Sequence, residues 1–374
     1  MNPSSLYDVA IVGGGVAGLC LSIQLARENY KVILFEKEKY PFHKVCGEYV
    51  SMESWNFLES LGVPLSEWKL PHIRRLLLSS PSGLSSGHDL PLGGFGVSRY
   101  TLDNYLAKLA RASGVELRES TKVDHVEFAQ DTFHVYSGSA KYSARLTCGA
   151  FGKRSNLDVK LKRGFVQKKP GKLNNYIAVK YHIRANLPSD QIALHNFENG
   201  YSGISQVEDN KYCLCYMTTA ANLQNCNNQI TQLEKNIVRQ NPFLNSIFEE
   251  AVFLYDTPVT IAQISFDKKS PLENHLLMSG DAAGMVTPLC GNGMSMAMHG
   301  SKIAYIEIDR YLQGKITRFE MESAYQDKWN NTFHARMVAG RSIQKLFGKR
   351  RVTDVFLRTM KILPGVATSL IKKT

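Results

Sequence analysis

The apolar and polar positions of the 374-residue chain alternate between strand-like and helix-like blocks. Val9 to Val12 are continuously apolar, as in a strand covered on both faces. A helix through about Glu28 and a second strand from Lys31 to Phe35 follow, so the amino-terminal end predicts a βαβ unit. Leu102, Leu106, Leu109 and Ala110 repeat on one face of a later helix, which Gly114 ends. Leu276 to Met278 predict another buried strand, and Met294, Met298 and Ile303 then repeat on a helical face. Between these blocks, "IRRLLLSS", "NYIAVKYHIRA" and "KYCLCYMTT" read as strands. No period of about 20–50 residues recurs, which excludes a repeat architecture.

Two glycine-rich turns carry the candidate chemistry. The first, Gly13-Gly14-Gly15-Val16-Ala17-Gly18, joins the first strand to its helix. Gly13 permits a tight turn, Gly15 lets the backbone approach a pyrophosphate, and Gly18 allows close helix–strand packing. The helix start, with Val16 and Ala17, offers free N–H groups and a partial positive charge to phosphates. Glu36, at the end of the second strand, is placed to accept hydrogen bonds from an adenosine ribose, with Lys37 beside it. An acid there favours FAD or NAD over NADP.

The second turn is "GDAAGMVTPLCGNGM", beginning at Gly280. A strand delivers Asp281, and Gly291, Gly293 and Met294 lead into a helix. NAD alone would not need a second clamp so distant in sequence. A longer cofactor would: Asp281 would bind ribityl hydroxyls, and the Gly293 and Met294 N–H groups would face the flavin's pyrimidine edge. The helix dipole there would favour the reduced, more negative ring.

These two motifs, "VSRYTLDNYLAKLARASGVEL" and "KVCGEYVS" together resemble the flavoprotein superfamily of para-hydroxybenzoate hydroxylase, geranylgeranyl reductases and flavin-dependent halogenases. The resemblance covers roughly residues 7–315. It implies a noncovalent FAD, with Arg99 along the cofactor and Val123 beside the adenine. The "KVCGEYVS" segment is similar to the geranylgeranyl reductase branch. Two departures stand out. Phe151 in "CGAFGKRSNLD" replaces the acid of a G-A-D-G-x-x-S segment, which argues against a standard NAD(P)H-driven hydroxylase cycle. Around Tyr201, Gly203, Ser205 and Gln206 replace the bulky aromatic cluster of the reductases and the tryptophan-rich motif of halogenases.

The expected fold class is α/β: a discontinuous Rossmann-like FAD-binding domain (residues 1–70, 95–165 and 265–315), an inserted mixed-sheet substrate domain (71–94 and 166–264), and a helical, basic carboxy-terminal segment (316–374).

Composition adds three constraints. Hydrophobic content of 44% supports a well-packed core. Seven scattered cysteines argue against a disulfide framework and for a reducing compartment. Cys213 and Cys215 fall on one face of a predicted strand; no second pair or nearby histidine accompanies them, so no metal is expected. Lys and Arg total 45 against 33 Asp and Glu, a net charge of +12. Part of this excess lies at the end: Lys345, Lys349, Arg350, Arg351, Arg358, Lys361, Lys372 and Lys373 against Asp354 alone, interleaved with apolar residues. Such a segment suits an anionic membrane surface, or a helix packed on the domain with a solvated basic face. No nucleic-acid motif accompanies the charge, so no nucleic-acid partner is expected. The expected location is cytoplasmic, with peripheral contact on the membrane's inner face.

The expected function is an FAD-dependent oxidoreductase acting on a lipophilic, isoprenoid- or polyketide-like small molecule, with NAD(P)H as the donor. Cys46, in Cys46-Gly47-Glu48 beside His43 and Lys44, motivates double-bond reduction, because a thiol near a cation can donate a proton or attack carbon. Its plainer reading is a small residue in a tight cofactor loop. Tyr201 is the candidate substrate contact. Two alternatives stay open: oxygen-dependent hydroxylation of an aromatic or polyketide substrate, and a non-catalytic flavin-binding electron carrier.

Overall fold

The computed structural model describes residues 6–167, 175–287, 291–344 and 347–362. Two sheets organise the chain. The first has the strand order 272–273, Leu276–Met278, Ala140–Gly149, Tyr7–Val12, Val32–Phe35 and Glu116–Arg118; all but the 272–273 edge pair in parallel. A hairpin, His125–Ala129 with Thr132–Ser137, pairs onto strand Ala140–Gly149. Helices Val16–Arg27 and Gly293–Leu312 pack against one another, and helix Arg99–Ala112 flanks the first of them. Val16–Arg27 is buried nearly all round, which explains its weak amphipathicity.

Register brings the distant turns together. Val12 pairs with Gly149, and Gly149 pairs with Met278. Three parallel strands therefore end level, and the chain leaves each at the same carboxyl edge. In open α/β sheets this edge is where ligands bind.

The second sheet is mixed, in the order Val252–Phe253, Tyr176–Arg184, Tyr212–Thr219, Gly200–Gln206, Gln191–Phe197, His72–Ser79, Ser85–Gly96 and Tyr49–Ser51. Val259–Ile264 also pairs with Tyr176–Arg184. The pair Gln191–Phe197 with His72–Ser79 is parallel, the others antiparallel. Strand Tyr49–Ser51 joins this sheet although the segment 1–70 reads as cofactor domain in the sequence. On one face, Val179, Tyr181, Leu214 and Tyr216 pack with Leu233, Val238 and Leu244, from the segment of short helices between 230 and 250. On the other, Ala178, Leu194, Tyr201 and Met217 pack with Ile264, Phe266 and Met285 and with Leu357 and Met360 of helix Arg350–Ile362. Helix Arg318–Gln344 packs on Gly293–Leu312.

Candidate active site

The first turn is held from three sides. Gly13 has φ +112°, and a Cβ there would lie 2.3 Å from the Ala150 carbonyl oxygen; at Gly18 it would lie 2.0 Å from the Gly13 oxygen. Neither position tolerates a side chain. Val16, Ala17 and Gly18 form the buried first turn of the helix. Glu36, buried, accepts from the Gly14 N–H at 3.0 Å and from the Glu38 N–H at 3.1 Å. Tyr40 donates its hydroxyl to the Gly14 carbonyl. Val123 is buried, and its segment is tied down by the Thr121 N–H donating to the Glu36 carbonyl at 2.8 Å.

Gly15 faces two cations. From its Cβ position, the Arg99 guanidinium is 3.5 Å away and the Lys44 ammonium 3.9 Å. Arg99, capped into its helix by Ser98, grips Asp103 through two bonds of 2.7 Å. Lys44 lies 3.1 Å from Asp103 and 3.7 Å from Glu36. Burial favours the protonated Asp103 carboxyl, but Arg99 and Lys44 together hold its titration below the usual carboxylate value. Two balanced cations over bare backbone suit a diphosphate. Lys37 does not join them: its side chain is 68% exposed and pairs with Glu38 at 3.6 Å.

The second turn meets the first. Gly280 has φ +62°, and its Cβ position is 3.0 Å from the Ala17 Cβ. Gly280, Asp281, Gly284, Gly293, Met296 and Trp329 line one crevice. Lys269 steadies the turn by donating to the Asp281 carbonyl at 2.8 Å. Gly293 opens its helix with Met294 buried behind it, and Gly291, at φ +65°, lies against the Tyr49 ring. Residues 288–290, in the middle of this motif, lie outside the described residues. Phe151, at the acid's expected place, packs its ring on Gly149.

Cys46 is half-buried, flanked by Lys44, whose ammonium approaches the Gly14 carbonyl at 3.3 Å, and by Val45, which packs against the second sheet. Its carbonyl accepts from the Cys213 thiol at 3.2 Å, and the Glu48 N–H reaches its Sγ at 3.5 Å. Glu48 has φ +57° and is wholly buried. One carboxylate oxygen accepts from Lys180 at 2.5 Å and from the Arg99 N–H at 2.7 Å; the other lies 2.5 Å from His182 Nε2. Tyr255 bonds to His182 Nδ1, and His43 stacks on Tyr100 at 4.7 Å beside them. Burial pushes the Glu48 carboxyl up, but Lys180 and His182 outweigh it and set the pKa at about 2. Burial and the charges of Lys180 and His182 pull His43 down to about 4. Glu48, His182 and Cys213 also bring potential metal ligands within 4.8 Å of one another, but Lys180 already neutralises the carboxylate.

Cross-strand pairing explains the placement. His182 pairs with Cys213 and Cys213 with Ser205; Lys180 pairs with Cys215 and Cys215 with Gly203; Ala178 pairs with Met217 and Met217 with Tyr201. Opposed residues share a face. One face thus runs from a polar end at Cys46 to an apolar end at Tyr201. Ser205 approaches the Gly47 carbonyl at 3.5 Å, and Tyr201, four residues away, lies about 13 Å further along the strand. The sequence reading missed Lys180 and His182, and took Lys44 and Glu48 only as neighbours of Cys46. A lysine and a histidine two apart within the apolar run "YIAVKYHIR" were the available signal, since neither is buried without a partner.

With this geometry in place, the sequence profile of the FAD binding domain family matches residues 6–317. The chain belongs to that family. It is 27% identical to conditioned medium factor receptor 1 of Dictyostelium discoideum, over all of this chain and 75% of that protein. It is 24% identical to the digeranylgeranylglycerophospholipid reductase of Methanococcus vannielii, over 86% of this chain and 82% of that one. The flavin-dependent brominase Bmp2 shares its fold, with a TM-score of 0.78 at 19% identity, covering 99% of this chain and 93% of that structure. The chain is thus an FAD-dependent enzyme with the mixed α/β architecture of reductases and halogenases. Among the described residues, no helix is long and apolar enough to cross a membrane.

Proposed function

We propose that the enzyme reduces a carbon–carbon double bond in a lipophilic, isoprenoid- or polyketide-like molecule, with NAD(P)H as electron donor. The observation that carries this reading is the position of Cys46, a half-buried thiol next to Lys44, whose ammonium reaches the first glycine turn, and next to Val45, which packs in the cluster of Met217 and Tyr201. The relationship to a digeranylgeranylglycerophospholipid reductase supports it.

FAD, when bound, supplies hydride transfer to carbon. Lys44 and Arg99 would hold its diphosphate over Gly15, Glu36 its adenosine ribose, and Asp281 its ribityl hydroxyls. Cys46 Sγ would deliver the proton that completes saturation. Glu48 would keep the Cys46 loop in place, anchored to Lys180 and His182. The small residues Gly203 and Ser205 would let the substrate approach Cys46, and the apolar end of the face, with Tyr201, would take the hydrocarbon and exclude water.

The test is anaerobic turnover with NADPH over a panel of polyprenyl compounds and apolar phenols. Saturated product without oxygen, abolished by Cys46→Ala with FAD still bound, is the expected result. Turnover that requires oxygen and yields hydroxylated product would replace reduction by hydroxylation.

A further inference from the structure

The helix Arg350–Ile362 has two unlike faces. Thr353, Leu357 and Met360 point inward, and Leu357 and Met360 join the cluster of Tyr201, Met217, Phe266 and Met285. Arg351, Val355, Arg358 and Ile362 follow at the i, i+4, i+7 and i+11 positions and form one outward stripe. Val355 is 65% exposed and Ile362 76% exposed. The four basic residues Arg350, Arg351, Arg358 and Lys361 outnumber the single acid of the helix, Asp354, which accepts a hydrogen bond from Ser82 at 2.7 Å. Along this face apolar and basic side chains thus alternate. A surface of anionic headgroups over hydrocarbon matches both halves of the pattern.

We propose that this helix docks the enzyme on an anionic phospholipid bilayer. Its arginines meet lipid phosphates, while Val355 and Ile362 enter the headgroup–acyl boundary. The inward face gives the contact a consequence. The apolar cluster beneath the helix continues to Val45, next to Cys46, and to Met285, within the second glycine-rich stretch. Docking therefore sets the outer end of that cluster against the bilayer, the source of a lipophilic substrate. The docking stands on the helix itself; only the delivery of substrate rests on the reduction reading. A binding assay without turnover separates the two.

The experiment is co-flotation of the full-length, FAD-supplemented protein with vesicles of phosphatidylcholine alone or phosphatidylcholine mixed with phosphatidylglycerol. Binding is expected only to the mixed vesicles, and to fall as salt rises. Each basic side chain near an anionic surface is worth about a factor of five, so Arg351→Glu with Arg358→Glu should weaken partitioning at least about 30-fold. Val355→Ser with Ile362→Ser should weaken it severalfold while leaving the salt dependence. Lys108→Glu with Lys235→Glu, exposed lysines of the helices Arg99–Ala112 and Ile230–Asn236, makes the same change in net charge and should leave binding within about twofold of wild type. Thermal unfolding of each variant confirms its fold. Equal loss in the two charge variants would show nonspecific attraction, and absence of vesicle binding would leave the stripe to a protein partner; either overturns the proposal.

Discussion

Glu48→Gln is the most informative single change, because it removes one charge from a fully buried set. In the fold the carboxyl titrates at about 2 against an ordinary value of 4.5. The difference corresponds to about 3 kcal/mol of stability, fully present above pH 4.5 and lost as the pH falls through 2. The substitution also leaves the Lys180 ammonium at 0% exposure without its carboxylate, with the Lys44 carbonyl at 3.2 Å as a remaining acceptor. Stranding a buried charge costs roughly 3–5 kcal/mol, which agrees with the titration argument. Lys180→Met should cost less, because Glu48 keeps the Arg99 N–H and the His182 ring as partners. The double variant Glu48→Gln, Lys180→Met holds no stranded charge and should be more stable than Glu48→Gln alone. Urea denaturation of the four proteins at pH 7 gives the coupling energy, expected to be at least about 2 kcal/mol. A loss below about 1 kcal/mol for Glu48→Gln, or additive effects in the double variant, would refute the assignment of a charged, buried pair.

Three further outcomes follow from the same geometry. Asp281→Ala should weaken FAD retention roughly ten- to hundredfold, the worth of a hydrogen bond to a charged group, and is read by flavin fluorescence on dilution; full retention would remove the role given to Asp281. Gly18→Ala forces a methyl onto the Gly13 carbonyl and should cost about 1–3 kcal/mol together with most FAD binding; wild-type affinity would count against the close helix–strand approach. His195, buried with Nδ1 2.8 Å from Ser79 Oγ and stacked on Phe243, is pulled by burial to a pKa of about 4. It is neutral in the fold but protonates below about 6.5 when unfolded, so its contribution is full above 6.5 and falls by about 3 kcal/mol as the pH drops to 4. Denaturation of His195→Gln between pH 7 and 4 should show a correspondingly flatter acid profile.

Three strands of the parallel sheet and both glycine turns were legible, because Val9 to Val12, Val32–Phe35 and Leu276–Met278 are continuously apolar and each turn is dense in glycine, with Gly13, Gly18 and Gly280 at positions of tight approach or positive φ. Ala140–Gly149, with Lys141 and Arg145, and Glu116–Arg118 carry no such apolar run. The second sheet was legible as strands but not as an ordered surface. Its order depends on pairings such as Lys180 with Cys215 and Cys215 with Gly203, between segments far apart in the chain. Glu48 was hidden for the same reason. In sequence it is one acid after Cys46-Gly47; its burial shows only when Lys180 and His182 arrive from 132 and 134 residues further on. Lys37 illustrates the opposite limit: proximity to Glu36 in sequence does not place its side chain at the cofactor turn.

The central claim is that turns at Gly13–Gly18 and Gly280–Met294 grip opposite ends of one FAD. Flavin-to-protein stoichiometry, measured on the purified enzyme and on Gly15→Val and Gly293→Val variants titrated with FAD, tests it most directly. The account predicts one FAD per wild-type chain and weakened binding in both variants. A wild-type protein that stays colourless when offered FAD, or a Gly293→Val variant with unchanged affinity, would contradict it.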